Sequence, residues 1–259
     1  MPPKRILVRK LTDFRRHYHR LGPGDAVVGL FPLRAGEEIK FLDLTDRGVI
    51  FFPAALAQLV GRSKVAQAEI LAEFMLPGGF VAYGLPDLAA QLTAFYSRGE
   101  VVSKRERAHL GLGVGRWPSL EALYSLAGLH HLTYPLVVQP LLAEARDLRV
   151  VMLGDYVEAY ERVNPHGFRK NVFQGGVTKP AALTAAQLAF CRRAMARARF
   201  PYAILDLLVS PVGEPYLSEI GFKGGLTGAR LSQEEFRQRV ARLEEEFIQQ
   251  WENSSTTRP

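Results

Sequence analysis

ILDLLVSPVGEPYLSEIG, residues 204 to 221, sets two apolar runs on either side of Pro211-Val212-Gly213. Such runs bounded by a Pro/Gly turn read as the two strands of a hairpin. If the loop is symmetric about Val212-Gly213, Asp206 and Glu219 lie directly opposite each other. Opposed side chains on one sheet face sit about 4.5–5.5 Å apart at Cβ. Two carboxylates that close among apolar neighbours repel and are costly to bury. A divalent cation reverses the sign of that interaction, so the pair is a candidate metal site. A register slip would instead send one carboxylate to solvent.

Working outward, Leu148–Leu153 and Tyr156–Arg162 flank Gly154-Asp155, a second hairpin signal. Asp147, Arg149 and Arg162 lie on its strands, and Arg169, Lys170 and Asn171 follow in the next loop. Cations and an amide converging there could clamp an anion or a transferring phosphoryl group; a solvated hairpin rim is the alternative. Lys104 ends the strand Val101–Lys104 and precedes a glycine loop, Gly111–Gly115. Small residues let backbone N–H groups approach phosphate, and lysine supplies a point charge. No Gly-Lys-Ser/Thr follows, so this is not a Walker loop, and an ordinary turn with a surface lysine stays open.

The remaining pattern mixes strands and helices. Ile6–Val8, Ala26–Phe31, Ile39–Leu44 and Val49–Phe52 read as strands, and Phe80–Tyr83 and Tyr134–Gln139 as others. Helices are expected from Ser63 to Phe74, from Pro86 to Gly99, after Pro118-Ser119, over Thr184–Arg199 and over Ser232–Trp251. Ser232 and Glu235 form a capping box for the last. This mixture with several hairpins predicts an α+β fold.

The 259 residues, 47% hydrophobic and 23% charged, are enough to bury a sizeable core without crosslinks and rule out a disordered or collagenous chain. The single Cys191 cannot form an internal disulfide. No stretch has the roughly 18 apolar residues of a membrane span, and a cytoplasmic location without membrane attachment is expected. His17-x-His19 and His130-His131 lack zinc-ligand spacing. A net charge of +7 suggests anionic partners. The basic residues are dispersed without a nucleic-acid motif, so nucleic acid is not the expected partner.

The order of these motifs resembles the ATP-grasp superfamily, specifically its RimK-like and glutathione synthetase-like carboxylate–amine ligases. Asp46-Arg47-Gly48-Val49 followed by Arg62-Ser63-Lys64 resembles the end of the family's preliminary domain and the lysine opening the grasp. Val101–Lys104 resembles the phosphate-contacting strand, and Gly111-Leu112-Gly113-Val114 the loop that closes over phosphates. Val137–Leu142 takes the place of the hinge, Asp147-Leu148-Arg149 that of an Asp-Ile-Arg strand, and Phe168–Asn171 with Gly175-Gly176 that of an Arg-x-Asn stretch.

The resemblance implies an ATP-grasp fold of two α+β subdomains over residues 62–252, a short preliminary α/β domain over 1–61 and a tail over 253–259. It implies an ATP- and Mg²⁺-dependent ligase, with Mn²⁺ as a substitute, that joins a small-molecule or peptide carboxylate to an amine or thiol through an acyl phosphate. Lys64, Lys104, Gly111, Gly113, Gln139, Pro140, Leu141, Asp147 and Lys170 would hold ATP. Asp206 and Glu219 would hold the metal, while Arg149, Arg169 and Asn171 would act on the acyl phosphate. A homo-oligomer stays open. Three features depart from the pattern: the hinge glutamate is Pro140, the third metal ligand, an asparagine, is Gly221, and the Ser-Pro-Gly segment that follows is replaced by Phe222-Lys223-Gly224-Gly225. Pro140 and Gly221 define the alternative, a module that binds nucleotide without ligating.

Overall fold

The computed structural model describes residues 5–107, 112–129, 132–170 and 172–254. Its strands form three sheets of three, five and four strands. The first is parallel, in the order β1 (Leu7–Val8), β2 (Ala26–Val28), β3 (Ile50–Phe52). Parallel neighbours cannot be joined by a tight turn and need a crossover. The helices α1 (Leu11–His17) and α2 (Ile39–Asp46) supply those crossovers. This corrects the expected strand at Ile39–Leu44: Phe41 and Leu44 are buried three residues apart while Ile39 and Leu42 are exposed, which is helical spacing.

Two short helices, α3 (Ala55–Val60) and α4 (Lys64–Ile70), lead out of this unit. Ser63 caps α4 by accepting the Ala66 N–H at 2.9 Å. The expected continuation to Phe74 breaks at Leu71 into a 3₁₀ turn over Ala72–Phe74.

The four-stranded antiparallel sheet comprises β4 (Phe80–Ala82), β5 (Val101–Arg105), β6 (Val114–Trp117) and β7 (Leu136–Pro140), ordered β4-β7-β5-β6. The helices α5 (Leu85–Phe95) and α6 (Leu120–Gly128) bury Leu88, Phe95, Leu120 and Leu123 against it.

The five-stranded antiparallel sheet contains β8 (Arg146–Leu153), β9 (Tyr156–Val163), β10 (Val177–Ala181), β11 (Tyr202–Val209) and β12 (Pro215–Gly221), ordered β10-β9-β8-β11-β12. β10 had no expectation from sequence. It holds Pro180 and sits at the sheet edge, where a missing N–H is tolerated. The helix α7 (Ala185–Arg197) places Phe190, Cys191 and Ala194 in the largest core beside Leu205 and Leu207.

The closing helix α8 (Gln233–Asn253) starts at the expected Ser232/Glu235 capping box. Its far end returns to the first unit: Phe247 stacks on Phe52 at 4.8 Å, and Trp251 Nε1 donates to the Gly24 carbonyl at 2.8 Å. No helix among the described residues is long and apolar enough to cross a membrane.

Candidate nucleotide and metal site

A cavity of about 1170 Å³ lies between the four- and five-stranded sheets, with Leu30–Leu33 of the first unit on its wall. One register row of the five-stranded sheet crosses its floor: Tyr160 opposes Arg149, Arg149 opposes Asp206, and Asp206 opposes Glu219. Register partners share a sheet face, so four strands present this row together. The opposition of Asp206 and Glu219 read from the hairpin is the observed register.

The register then slips by one residue between Asp206 and Leu207, so Ser218 is an extra residue on β12. The bulge gives Lys104 a seat: its Nζ donates to both the carbonyl and the hydroxyl of Ser218, each at 3.1 Å. This contact spans the cleft from one sheet to the other. Sequence reading missed Ser218, because the hairpin's apolar pattern carries no mark of a bulge.

Asp206 is enclosed by cations. Arg149 grips it in a bidentate pair at 2.7 and 2.8 Å, and Arg162 reaches it at 3.0 Å. Burial opposes ionisation of Asp206, but the two guanidinium groups outweigh it and hold the carboxyl well below its usual range. Burial likewise works against the charge on Arg149, and Asp206 more than offsets it, so the guanidinium titrates above its ordinary value. Arg162 also bonds Asp147 at 2.8 Å through Nε. Burial raises the Asp147 pKa against the pull of Arg162, and the nearby Asp206 adds to the rise. Arg162 joins two buried carboxylates, a role absent from the sequence reading because only the folded register brings all three groups together.

Glu219 is more open, with Lys64 Nζ 3.7 Å away at the first turn of α4. The donors fit a hard divalent cation: two carboxylates on adjacent strands, one of them ionised and facing the cavity. Asp206 accepts three N–H bonds of the roughly four a carboxylate can take, which leaves one position. No cluster of three His, Cys, Asp or Glu suited to a metal occurs among the described residues. The protein would therefore supply two side-chain ligands, and phosphates or water the rest.

Of the other candidates, Gln139, Leu141, Arg169 and Lys170 line the same cavity. Arg169 Nη2 donates to the Val114 carbonyl at 2.5 Å, and Lys170 donates to that of Ala145. The Leu141 N–H donates to the Glu100 carbonyl at 2.8 Å. Pro140 does not line the cavity, since strand alternation turns Gln139 and Leu141 toward it and the residue between them away. Gly113 is also outside the lining, with its carbonyl accepting the Arg105 N–H at 2.8 Å at the β5–β6 turn. Gly111 and Asn171, like His130 and His131, lie outside the described residues.

The expected glycine loop is partly strand. Gly115 lies on β6, where an added Cβ would stand 2.9 Å from Trp117 Nε1 and 3.0 Å from Ser103 Oγ. Glycine there permits the 2.8 Å bond between those two side chains, a packing role rather than a phosphate one.

Burial lowers the Lys104 pKa to about 8, with Glu219 pulling the other way. The ammonium is thus intact below that pH and lost above it. Affinity for a nucleotide triphosphate is expected to fall about tenfold per pH unit above about 8, and Lys104→Met to weaken binding and flatten that dependence. Calorimetric titration at a series of pH values checks both. The sign for stability is opposite: between about 8 and the ordinary 10.5 the unfolded chain binds more protons, so this residue's contribution to stability rises with pH.

No protein-family model matches the chain. The probable alpha-L-glutamate ligase of Sodalis glossinidius is 27% identical over 226 residues, covering 85% of this chain and 73% of that protein. Among solved structures, the D-cycloserine synthetase DcsG superposes with a TM-score of 0.61 at 15% identity, over 85% of this chain and 83% of that one. The ATP-grasp ligase PsnB, solved with a minimal precursor, Mg and ADP, gives 0.55 at 17% identity, over 89% and 78%. The structural likenesses establish the fold. Three sheets around a cleft floored by paired acids are the arrangement of the ATP-grasp fold, which the chain shares with these ligases.

Proposed function

We propose that the protein is an ATP- and Mg²⁺-dependent ligase that joins a carboxylate to an amine through an acyl phosphate. The observation that carries this reading is the register row Arg149–Asp206–Glu219 on the cavity floor, with Lys64 and Lys104 reaching it from across the cleft. Phosphoryl transfer asks a protein mainly for position and charge neutralisation, which is what such a row can supply. In the reaction, a substrate carboxylate oxygen bonds to the γ-phosphorus while the bond to the β-phosphate oxygen breaks and ADP leaves. The amine nitrogen then attacks the acyl carbon, loses a proton and expels phosphate.

Asp206 and Glu219 would hold Mg²⁺, whose contribution when bound is to neutralise phosphate charge. Lys104 and Lys64 would bind phosphate oxygens, and Gln139 and Leu141 would line the adenine end. Arg149, with Arg169, would meet the charge on the acyl phosphate. Gln139 is buried at the end of β7, and the Lys104–Ser218 contact keeps the two sheets together above the row.

The expected result is Mg²⁺-dependent ADP release with one or more acid–amine pairs, and hydroxamate formation when hydroxylamine replaces the amine. ADP release without a carboxylic acid present would reject the ligation chemistry. Gly221 favours a second reading: it brings no side-chain oxygen to the end of β12, two residues beyond Glu219. On that reading a non-hydrolysable ATP analogue binds with Mg²⁺, yet no acid–amine pair releases ADP.

A further inference from the structure

One face of β9 carries three polar-tipped side chains that are almost wholly buried. Glu158, Tyr160 and Arg162 alternate along the strand and are 6%, 1% and 6% exposed. Arg162 is matched by Asp147 and Asp206. The other two reach outside the sheet, to the segment between β12 and α8. Glu158 accepts the N–H groups of Arg230 at 2.7 Å and Leu231 at 3.3 Å. The Tyr160 hydroxyl donates to the Gly225 carbonyl at 3.1 Å.

That same carbonyl is a partner of the acidic row. Arg149 gives Nε and Nη2 to Asp206 and turns Nη1 to Gly225, at 3.0 Å. Three of its five N–H groups are thereby engaged, and the other two are left for an anion in the cavity. Gly224 lies close as well, since a Cβ there would stand 3.5 Å from Arg149 Nη1. Gly224 and Gly225 belong to no helix or strand. Two consecutive glycines leave this backbone wide freedom, so side-chain grips decide where the carbonyl stands. Its two lone pairs go to Arg149 and Tyr160. Of these, Tyr160 is the fixed point, buried on a strand paired on both sides.

We propose that Tyr160 is a positioning residue for the phosphoryl end of the reaction. Its hydroxyl fixes the Gly225 carbonyl, and the carbonyl sets the tilt of the Arg149 guanidinium. The role rests on the ligase reading above, in which Arg149 meets the charge on the acyl phosphate. A guanidinium binds phosphoryl oxygens through direction as well as charge, so a loosened Arg149 binds them less well. Glu158 holds the far end of the segment independently, so loss of one hydroxyl frees Gly225 without releasing the whole loop.

The test uses inorganic phosphate, which the reaction leaves where the acyl phosphate stood. It is titrated by calorimetry into the full chain loaded with Mg²⁺ and ADP. Tyr160→Phe removes only the hydroxyl. It is expected to weaken phosphate binding about tenfold, the scale of one hydrogen bond, and to leave ADP affinity unchanged. In an Arg149→Lys background, where the three-point grip cannot form, the same substitution should add nothing. A tyrosine that only supports the fold would weaken both ligands together, or act equally in both backgrounds. Either of those results overturns the positioning role alone, as does unchanged phosphate affinity in Tyr160→Phe or no phosphate binding by the ADP-loaded wild type. A wild-type chain that binds no ADP with Mg²⁺ overturns the ligase reading and takes the role with it. If Arg149→Lys does not fold or binds no phosphate, the split between phosphate and ADP in Tyr160→Phe decides.

Discussion

Asp206→Asn is expected to abolish Mg²⁺-dependent nucleotide binding and to lower turnover by on the order of 10³-fold or more, the scale of losing a principal electrostatic contact in a closed site. The carboxylate does two jobs. It would be a metal ligand, and it neutralises Arg149 and Arg162, both largely buried in the floor of the cavity. An amide keeps the shape but removes the negative charge, so two guanidinium groups then share Asp147 alone. Breaking one side of a buried ion pair costs about 3–5 kcal/mol, so unfolding in urea should shift to lower concentration as well. Titration with a non-hydrolysable ATP analogue, with and without Mg²⁺, separates the two effects at a temperature where the variant is folded. Turnover retained with unchanged Mg²⁺ dependence would exclude Asp206 from the site.

Gln67→Leu is expected to destabilise the protein by about 4 kcal/mol, and to do so far from any reacting atom. Gln67 is buried, and its amide nitrogen donates to the carbonyls of Val60 at 3.0 Å and Ile220 at 2.9 Å. Its oxygen accepts the Ile220 N–H at 3.1 Å. One side chain thus ties the exit of α3, the helix α4 and the strand residue that follows Glu219. Leucine fills the space but leaves the Ile220 N–H and carbonyl without partners, each costing about 1–3 kcal/mol, and leaves the Val60 carbonyl only the Ser63 N–H at 3.2 Å. Because Lys64 and Glu219 flank this knot, the loss of stability should come with a fall in kcat. A change in stability below about 1 kcal/mol by urea unfolding would show that water replaces the amide at no cost.

The acidic pair was legible because a hairpin is a local object: alternation along two runs and a symmetric turn suffice to set Asp206 against Glu219. Arg149 and Asp147 were legible for the same reason. What the sequence did not reveal depends on contacts between distant segments. Ser218 matters only because Lys104, 114 residues earlier in the chain, reaches it. Gln67 looks like an ordinary polar helix residue until Ile220 arrives 153 residues later. Ile39–Leu44 was misread because six residues of mixed apolar and charged character satisfy both periods, and only the parallel pairing of β2 with β3 requires a helix between them. At the hinge and the glycine loop, strand direction and pairing turn Pro140 and Gly113 out of the cavity lining, which the sequence alone does not reveal, and Gly111 lies outside the described residues.

The return of α8 to the first sheet has a mechanical consequence. With Trp251 bonded to Gly24 and Phe247 stacked on Phe52, the outer stretches of the chain are clamped together, and the five-stranded sheet is coupled to the first unit. The four-stranded sheet is a loop paid out from this frame and taken back, leaving through the segment before Phe80 and returning after Pro140. Two chain crossings alone therefore tie it covalently to the frame, while the acidic floor belongs to the clamped part.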